Sequence, residues 1–436
     1  LADTFDMDRS TRGTVLVVVG VALIVGTLSV GAATAPDIGT QRVDSPQTLV
    51  GSQGADSYHA GGSVFLLEGD DRAWAEESAD SYFDVTMRED GTVLAGFMHS
   101  GYQEGCEPYD APCTKTGFRI IDPDAAGGPA VVEEYAFPVR TKTNSEIHDV
   151  EELDSGEFLL TDMDKERIFT VDGDEITWQW NASSFYEAPE DPTQRDWLHI
   201  NDVDVVNESH FLVSVRNANQ VLLIERGEGV AEVINEDDGG SDDTCMGSTR
   251  LVDANGDGDV RCGDPAVLYD QHNPQWLDDG AVLVADSEND RVVELHRNES
   301  TGEWEPAWTL TEVEGVDLNW PRDADRLDNG NTLVTDTRNA RLLEVTPNGT
   351  VVWSHQTGGI PYEAERLPEG ERAGADRYER GAVADPGGDV PVLSLAMVGI
   401  RSVFPGTPYW FAESHLGLVL LGLGLTVAGL VVRRRP

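Results

Sequence analysis

The feature that most constrains this chain is an internal repeat. IHDVEELDSGEFLLTDMDKERIFTV, beginning at Ile147, is matched by QHNPQWLDDGAVLVADSENDRVVELH from Gln271 and by WPRDADRLDNGNTLVTDTRNARLLEVT from Trp320. Each copy opens on a polar anchor (His148, His272 or Arg322) and runs to an Asp/Asn/Ser-Gly turn, an apolar strand, a polar turn and a second strand led by an arginine. That arginine (Arg167, Arg291 or Arg341) stands nineteen residues beyond its anchor every time. A third strand follows as ITWQW, EPAWTL or VVWSH. Asx-Gly and Ser-Gly between alternating apolar runs signal hairpins, so each unit is an antiparallel meander of three or four strands. A fourth copy is anchored at Asn201, with Gln220 in the arginine column, and a fifth at Phe83, lengthened by a loop holding Cys106 and Cys113. A degenerate sixth starts at Tyr362 and lacks outer strands, whereas SVFLLEGDDRAWAEE from Ser63 has outer strands and no inner one. Ring closure resolves both: the N-terminal strands complete the blade that the C-terminal segment begins. Repeats of about 40 to 70 residues with all-β patterning predict a six-bladed β-propeller. Two packed sandwich domains would not produce six related units.

In a propeller the innermost strand of each blade lines the central channel, so residues at one repeat position converge on its axis. Phe83, His148, Asn201, His272, Arg322 and Tyr362 form that column. His199, two residues before Asn201, falls on the same strand face, because side chains alternate with period two. Histidines and an arginine meeting at one mouth make His148, His199, His272 and Arg322 candidate catalytic residues. The alternative is hydrogen bonding between neighbouring blades, which is the expected role of Asn201 and Tyr362; His148, followed by Asp149, fits either.

Two segments carry a family resemblance: DWLHINDVDVV with FLVSVRNANQ (Asp196 to Gln220), and QHNPQWLDDGAVLVADSENDRVVEL (Gln271 to Leu295). With the repeats aligned, the chain from about Tyr82 to His355 resembles the arylsulfotransferase family of six-bladed propellers. The resemblance implies transfer of a sulfuryl group from an aryl sulfate to a phenol or other hydroxyl, through a sulfo-histidine and with no nucleotide or other catalytic cofactor. It carries over to His199, His272 and Arg291. In the following blade, where the family's nucleophilic histidine is expected, Arg322 stands instead, and His355 comes after the outer strand. His272 is then the first choice of nucleophile. The chemistry suits these residue types: a guanidinium matches the spread negative charge of a sulfuryl group, a neutral imidazole attacks, and a second moves the proton. A non-catalytic propeller that binds a surface ligand or an envelope protein is the competing reading.

Asp253, Asn255, Asp257, Asp259 and Asp264 place oxygens at loop positions one, three, five, seven and twelve, with Gly258 at six. That spacing resembles an EF-hand loop, with Asp in place of the closing Glu, and predicts a structural Ca²⁺ site. The cysteines fall into two local pairs, Cys106 with Cys113 and Cys245 with Cys262, which read as two disulfides outside the cell. Sequons at Asn181, Asn207, Asn298 and Asn348 agree with export.

Charge decides where such a chain works. It has 436 residues, 80 acidic against 30 basic, for a net charge of −50. So acidic a composition would ordinarily signal disorder, but apolar residues recur regularly through the whole middle of the chain. A folded domain so charged repels itself unless counterions screen it, and lysine is confined to Lys115, Lys142 and Lys165. Both points predict a salt-adapted, haloarchaeal-type protein, and the charge excludes nucleic-acid partners. Thr14 to Ala33 and Leu416 to Val432 are apolar enough to enter a bilayer, the shorter one if Gly417 to Gly429 packs against another helix. A cleaved signal peptide ending near Ala35 is the alternative for the first. Arg9 and Arg12 precede the first segment and Arg433 to Arg435 end the second, so both termini are expected in the cytoplasm and the propeller outside, at the cell membrane. The expected divisions are a cytoplasmic end and membrane helix (1–35), a linker (36–56), the propeller (57–375), a juxtamembrane linker (376–413) and a second membrane helix with a basic tail (414–436).

Overall fold

A computed structural model describes residues 9–35, 47–69, 71–236, 250–253, 256, 260–368, 370–379, 393, 396–397, 400–401, 404 and 407–434. The chain divides into two compact units, one built from residues 38–313 and 318–385, the other from 1–37, 314–317 and 386–436.

Six four-stranded antiparallel sheets make up the first unit. Blade 1 runs Ser81–Met87, Val93–Tyr102, Cys113–Asp122 and Ala130–Val139, from the axis outward, and blade 2 runs Val150–Glu152, Phe158–Asp162, Arg167–Asp172 and Glu175–Asn181. Blade 3 comprises Ile200–Asn207, His210–Val215, Gln220–Glu225 and Gly229–Ile234; blade 4 comprises His272–Asp278, Ala281–Asp286, Arg291–Arg297 and Trp304–Leu310. Blade 5 follows with Asp323–Arg326, Thr332–Asp336, Arg341–Val345 and Val351–Gln356. Blade 6 is shared by the two ends: the inner strand Ile360–Arg366 pairs with Thr48–Gly54, Val50 facing Ala364, and Ser63–Glu68 and Asp71–Glu76 complete it. The chain is a six-bladed β-propeller closed by its N-terminal strands. Thr48–Gly54 lies inside the segment read as a linker, 36–56. Its sequence, TLVGSQG, carries two glycines and no clean alternation, and its pairing partner is at the other end of the propeller. The first hairpins turn where the Asx-Gly signals stand, with Gly280 and Gly330 at φ +94° and +80°, which only glycine adopts without strain.

Apolar side chains collect between sheets, one cluster for each pair of neighbouring blades. Leu159, Ile168, Val203 and Phe211 join blades 2 and 3; Leu283, Trp308, Val334 and Leu343 join blades 4 and 5; Val50, Phe65, Leu342 and Trp353 join blades 5 and 6. Both faces of the middle strands are therefore buried, which is why AVLVAD is apolar almost throughout.

At the axis, each inner strand exposes an unpaired edge whose N–H groups are buried and need acceptors. A ring of side chains supplies them. Asp84 accepts from Val150 N–H (3.2 Å), Asp149 from Val203 (2.6 Å) and Asp204 from Trp276 (3.1 Å). Gln275 accepts from Arg326 N–H (2.7 Å), Asp323 from Ala364 (3.0 Å) and Glu363 from Val85 (3.3 Å), which closes the circle. In four blades the acid directly follows the anchor of the repeat, so the residue after His148 braces the ring while His148 itself does not.

In the second unit, Arg9–Ala33 and Glu413–Arg434 are both long and apolar enough to cross a membrane. They pack through glycines: a Cβ on Gly20 would stand 2.5 Å from the Gly422 carbonyl oxygen, and one on Gly13 2.7 Å from that of Gly429. In blade 1, Cys106 and Cys113 form a disulfide. Cys262 is also disulfide-bonded, and its expected partner Cys245 lies outside the described residues.

Candidate active site

One mouth of the channel lies where second strands end and inner strands begin. Here three blades repeat one local device. An aspartate closing the second strand holds the arginine five residues on: Asp162 with Arg167 Nε (2.8 Å), Asp286 with Arg291 (2.6 Å) and Asp336 with Arg341 (2.6 Å). The residue just before that arginine column is left-handed in four blades: Glu166, Asn219, Asp290 and Ala340, with φ between +51° and +56°. Side chains at this position reach the loop entering the next blade. Asn219 Oδ1 accepts from Asp270 N–H (3.1 Å) and Asp290 Oδ1 from Trp320 N–H (2.8 Å), while Glu166 accepts from Leu198, His199 and Ile200 together (2.7, 2.7 and 3.0 Å). His199 and Trp320, at φ +57° and +55°, are thereby pinned in a conformation their side chains ordinarily avoid.

This scaffold gathers a compact group. The His148 ring lies 4.8 Å from Phe83, 5.7 Å from His199 and 5.1 Å from Tyr362. His272 stands 5.7 Å from Trp320 and 6.3 Å from Tyr362. The Arg322 guanidinium sits over three aromatic rings, Trp320 at 4.3 Å, Tyr362 at 4.8 Å and Tyr58 at 5.5 Å, and Arg338 covers Trp320 at 3.8 Å. His199 Nδ1 meets Asp196 Oδ1 at 2.6 Å, and Arg216 NH1 lies 3.3 Å from the same ring nitrogen. Arg216 is in turn fixed on Asp270 (2.9 Å), which Arg250 shares (3.1 Å). Arg322 donates to the Gln53 side-chain oxygen.

Of the predicted residues, His148, His199, His272 and Arg322 do come together here. Arg291 does not: its Nε is held by buried Asp286, and its NH2 donates to the Ala266 and Val267 carbonyls at 2.9 and 2.8 Å. The resemblance carries Arg291 into the candidate set, but its column position here is that of a blade brace. Arg216 was not anticipated. Blade 3 has Val215 and Gln220 where the braced blades have Asp and Arg, and that double departure beside Arg216 was a legible signal. Trp320, Arg338, Tyr58, Gln53, Asp196 and Ser287 were missed as well. Asn201 binds the Gln271 carbonyl (2.9 Å), in keeping with a structural role, and His355 lies in the outermost strand of blade 5. In the acidic loop, Asn255, Asp257 and Asp259 fall outside the described residues. Asp253 accepts from Gly256 N–H and Asp264 from Ala266 N–H (2.6 and 2.8 Å).

The electrostatics favour neutral imidazoles. Burial, followed by His199 and Arg322, pushes His148 well below the usual histidine range; burial and then Arg322 do the same to His272. His199 is lowered too, by burial, against the pull of Asp196. Burial acts to raise the Asp196 carboxyl, yet His199, Arg216 and Arg250 hold it well below the carboxylate range. The His272 tautomer follows from geometry. Ser287 Oγ has one proton, and the Pro321 carbonyl takes it at 2.7 Å. The 2.8 Å contact between His272 Nδ1 and Ser287 Oγ must then be donated by Nδ1–H, which leaves the Nε2 lone pair bare. Asp196 fixes His199 in the same sense.

Many buried polar atoms at this mouth have no partner among the described residues: the two His148 nitrogens, one a donor and one an acceptor in the neutral ring, and the donors Trp320 Nε1, Thr337 Oγ1 and Nε of Arg216, Arg322 and Arg338. No described carboxylate pairs with Arg322 or Arg338. In a chain of net charge −50 this is a local gathering of arginines and unused donors, a set of groups whose chemistry suits the oxygens of an oxyanion.

A profile of the family described as Arylsulfotransferase (ASST) matches residues 174–358, from the last strand of blade 2 through blade 5. The match supports a place in the arylsulfotransferase family. No curated protein matches the chain. Solved structures similar to it include a protein of unknown function from Bacteroides caccae, at 16% identity and TM-score 0.47, covering 73% of this chain and 98% of that one. The periplasmic gluconolactonase of Pseudomonas aeruginosa is 13% identical with TM-score 0.41, over 74% of this chain and 99% of that one. A catalytically inactive virginiamycin B lyase from Staphylococcus aureus is 11% identical with TM-score 0.39, over 77% and 90%.

Proposed function

We propose that the protein transfers a sulfuryl group from an aryl sulfate ester to a phenolic or other hydroxyl acceptor at the histidine–arginine mouth. The observation that carries this reading is the group of unpartnered donors around Arg322, Arg216 and Trp320, set beside neutral histidines. The guanidiniums and the indole N–H would hold the sulfate oxygens, where donors fixed in advance stabilise charge as it develops. His272 Nε2, with its lone pair free, would attack sulfur: the N–S bond forms, the S–O bond to the aryl group breaks, and the electron pair leaves with the phenolate. His199, its Nε2 lone pair free and its Nδ1–H held by Asp196, would then take the proton from the acceptor hydroxyl, whose oxygen attacks sulfur and releases His272; the imidazolium so formed returns that proton to the departing phenolate or to water. Trp320, Tyr58 and Tyr362 supply an aromatic lining for the donor ring. Arg322, in the column where the family carries its histidine, favours a second reading, a propeller that binds a sulfated ligand without turning it over.

The deciding experiment incubates the protein with an aryl sulfate in concentrated salt and follows phenol release with and without an acceptor phenol. Turnover that His272→Ala abolishes supports transfer; saturable binding with no phenol release from any ester supports the binding module.

We further propose that the two apolar helices anchor the chain with both termini in the cytoplasm and the propeller outside, as the flanking arginines require. Protease added to intact cells should then cut propeller loops and spare a C-terminal tag, and loss of the tag refutes this orientation.

A further inference from the structure

Glu166 is a long acid in a left-handed turn of blade 2, 1% exposed. Equivalent positions carry Asn219, Asp290 and Ala340, and the first two each hold one N–H of the following blade. Glu166 alone among them binds three in succession, Oε1 taking Leu198 and His199 at 2.7 Å each and Oε2 taking Ile200 at 3.0 Å. Outside a helix N-terminus, three consecutive N–H groups converge on one acceptor when a residue among them turns left-handed, as His199 does at φ +57°. A carboxylate there therefore selects the backbone conformation of His199, and with it the direction of the ring. Burial raises the Glu166 carboxyl to about 8 against the pull of these three donors, so its grip on the turn is that of the ionised group and is fullest above that pH, where both oxygens are bare acceptors.

We infer that Glu166 is the positioning residue for His199: it acts across the blade 2–blade 3 boundary to present the imidazole to Asp196 on one side and His148 on the other. The inference rests on the reading of the mouth as a catalytic site, but the geometry it asserts is testable without turnover. Without the carboxylate, three buried N–H groups lose their acceptor, the left-handed turn relaxes, and the 2.6 Å contact between His199 and Asp196 is released. Glu166→Gln keeps size and shape but offers one acceptor oxygen and sets an NH₂ against the remaining N–H. Asp at this position keeps the charge on a shorter stem.

The test compares the full chain with Glu166→Gln, Glu166→Asp and Arg291→Ala, the last losing a blade brace remote from His199. Ring ¹⁵N signals of His199, assigned by their loss in His199→Gln, should move in Glu166→Gln and hold in Arg291→Ala. Turnover of an aryl sulfate should show kcat falling about 10- to 100-fold in Glu166→Gln with KM within about twofold, and Asp should restore part of it. Unchanged His199 signals and kcat in Glu166→Gln, or equal losses in Arg291→Ala, overturn the inference. If the parent turns over no ester, the functional reading fails and the ring signals alone decide the role of Glu166. If Glu166→Gln does not fold, Glu166→Asp carries the comparison, and His199 signals identical to the parent's then count against it.

Discussion

Arg167, Arg291 and Arg341 recur because in three blades they tie the second strand to the third; Arg216 and Trp320 occur once. Reading Arg291 as catalytic followed a resemblance in the right motif at a position whose recurrence was itself the warning. Arg322 shows the opposite case. It shares a column with histidines, yet it is buried beneath aromatic rings with no carboxylate ion-paired to it among the described residues. Inorganic sulfate should therefore raise the melting temperature in a fixed high-chloride background, since a ligand that binds only the folded state stabilises it. In Arg322→Ala the affinity read from that titration should fall by about 1.5–3 kcal/mol, roughly 10- to 100-fold, for one charge-assisted bond lost. A sulfate response equal to the parent's would remove Arg322 from the site.

At the scale of the element, the brace and the clamp make a blade more than a meander. Asp286 is fully buried, and Arg291 neutralises it while also satisfying two carbonyls of the preceding loop. Arg291→Ala would leave that carboxylate without its partner, at a cost on the order of 3 kcal/mol of stability. Chemical denaturation should show this loss while the sulfate-induced rise in melting temperature stays as in the parent. A variant that keeps its stability but loses sulfate would return Arg291 to the mouth. Strand order and hairpins were legible because alternation and Asx-Gly turns are local. The turn-to-turn clamps were not, because Glu166 and His199 are far apart along the chain and meet only once two blades pack.

Over the whole molecule, the propeller keeps a ring of acids at its centre in addition to its acidic surface. Burial raises Asp149 and Asp323 to about 7, Asp204 to about 6 and Glu365 to about 7. Such groups keep their protons in the folded chain at a pH where the unfolded chain, with carboxyl values near about 4, has released them. Their contribution to stability is full below the unfolded values and is lost as pH rises through the folded ones, so the protein should be more stable at pH 5 than at pH 8. Surface self-repulsion has the same sign but is screened by salt. The difference should therefore persist in concentrated chloride, measured as the denaturation midpoint at each pH. A midpoint independent of pH in concentrated salt would mean that the channel acids are neutralised in some other way.

The sequence by itself determined six blades, the ring closure and the channel column, because burial that recurs with a fixed period is written residue by residue. It also placed His148, His199, His272 and Arg322 at one mouth. Only the tertiary structure decided which arginines gather at the mouth and which brace a blade, which imidazole nitrogens stay free, and which side chain holds His199 in its left-handed turn. Each of those outcomes depends on contacts between blades. Arg322 meets Gln53 across 269 residues of chain and Arg216 meets Asp270 across 54, separations over which no local pattern specifies a partner.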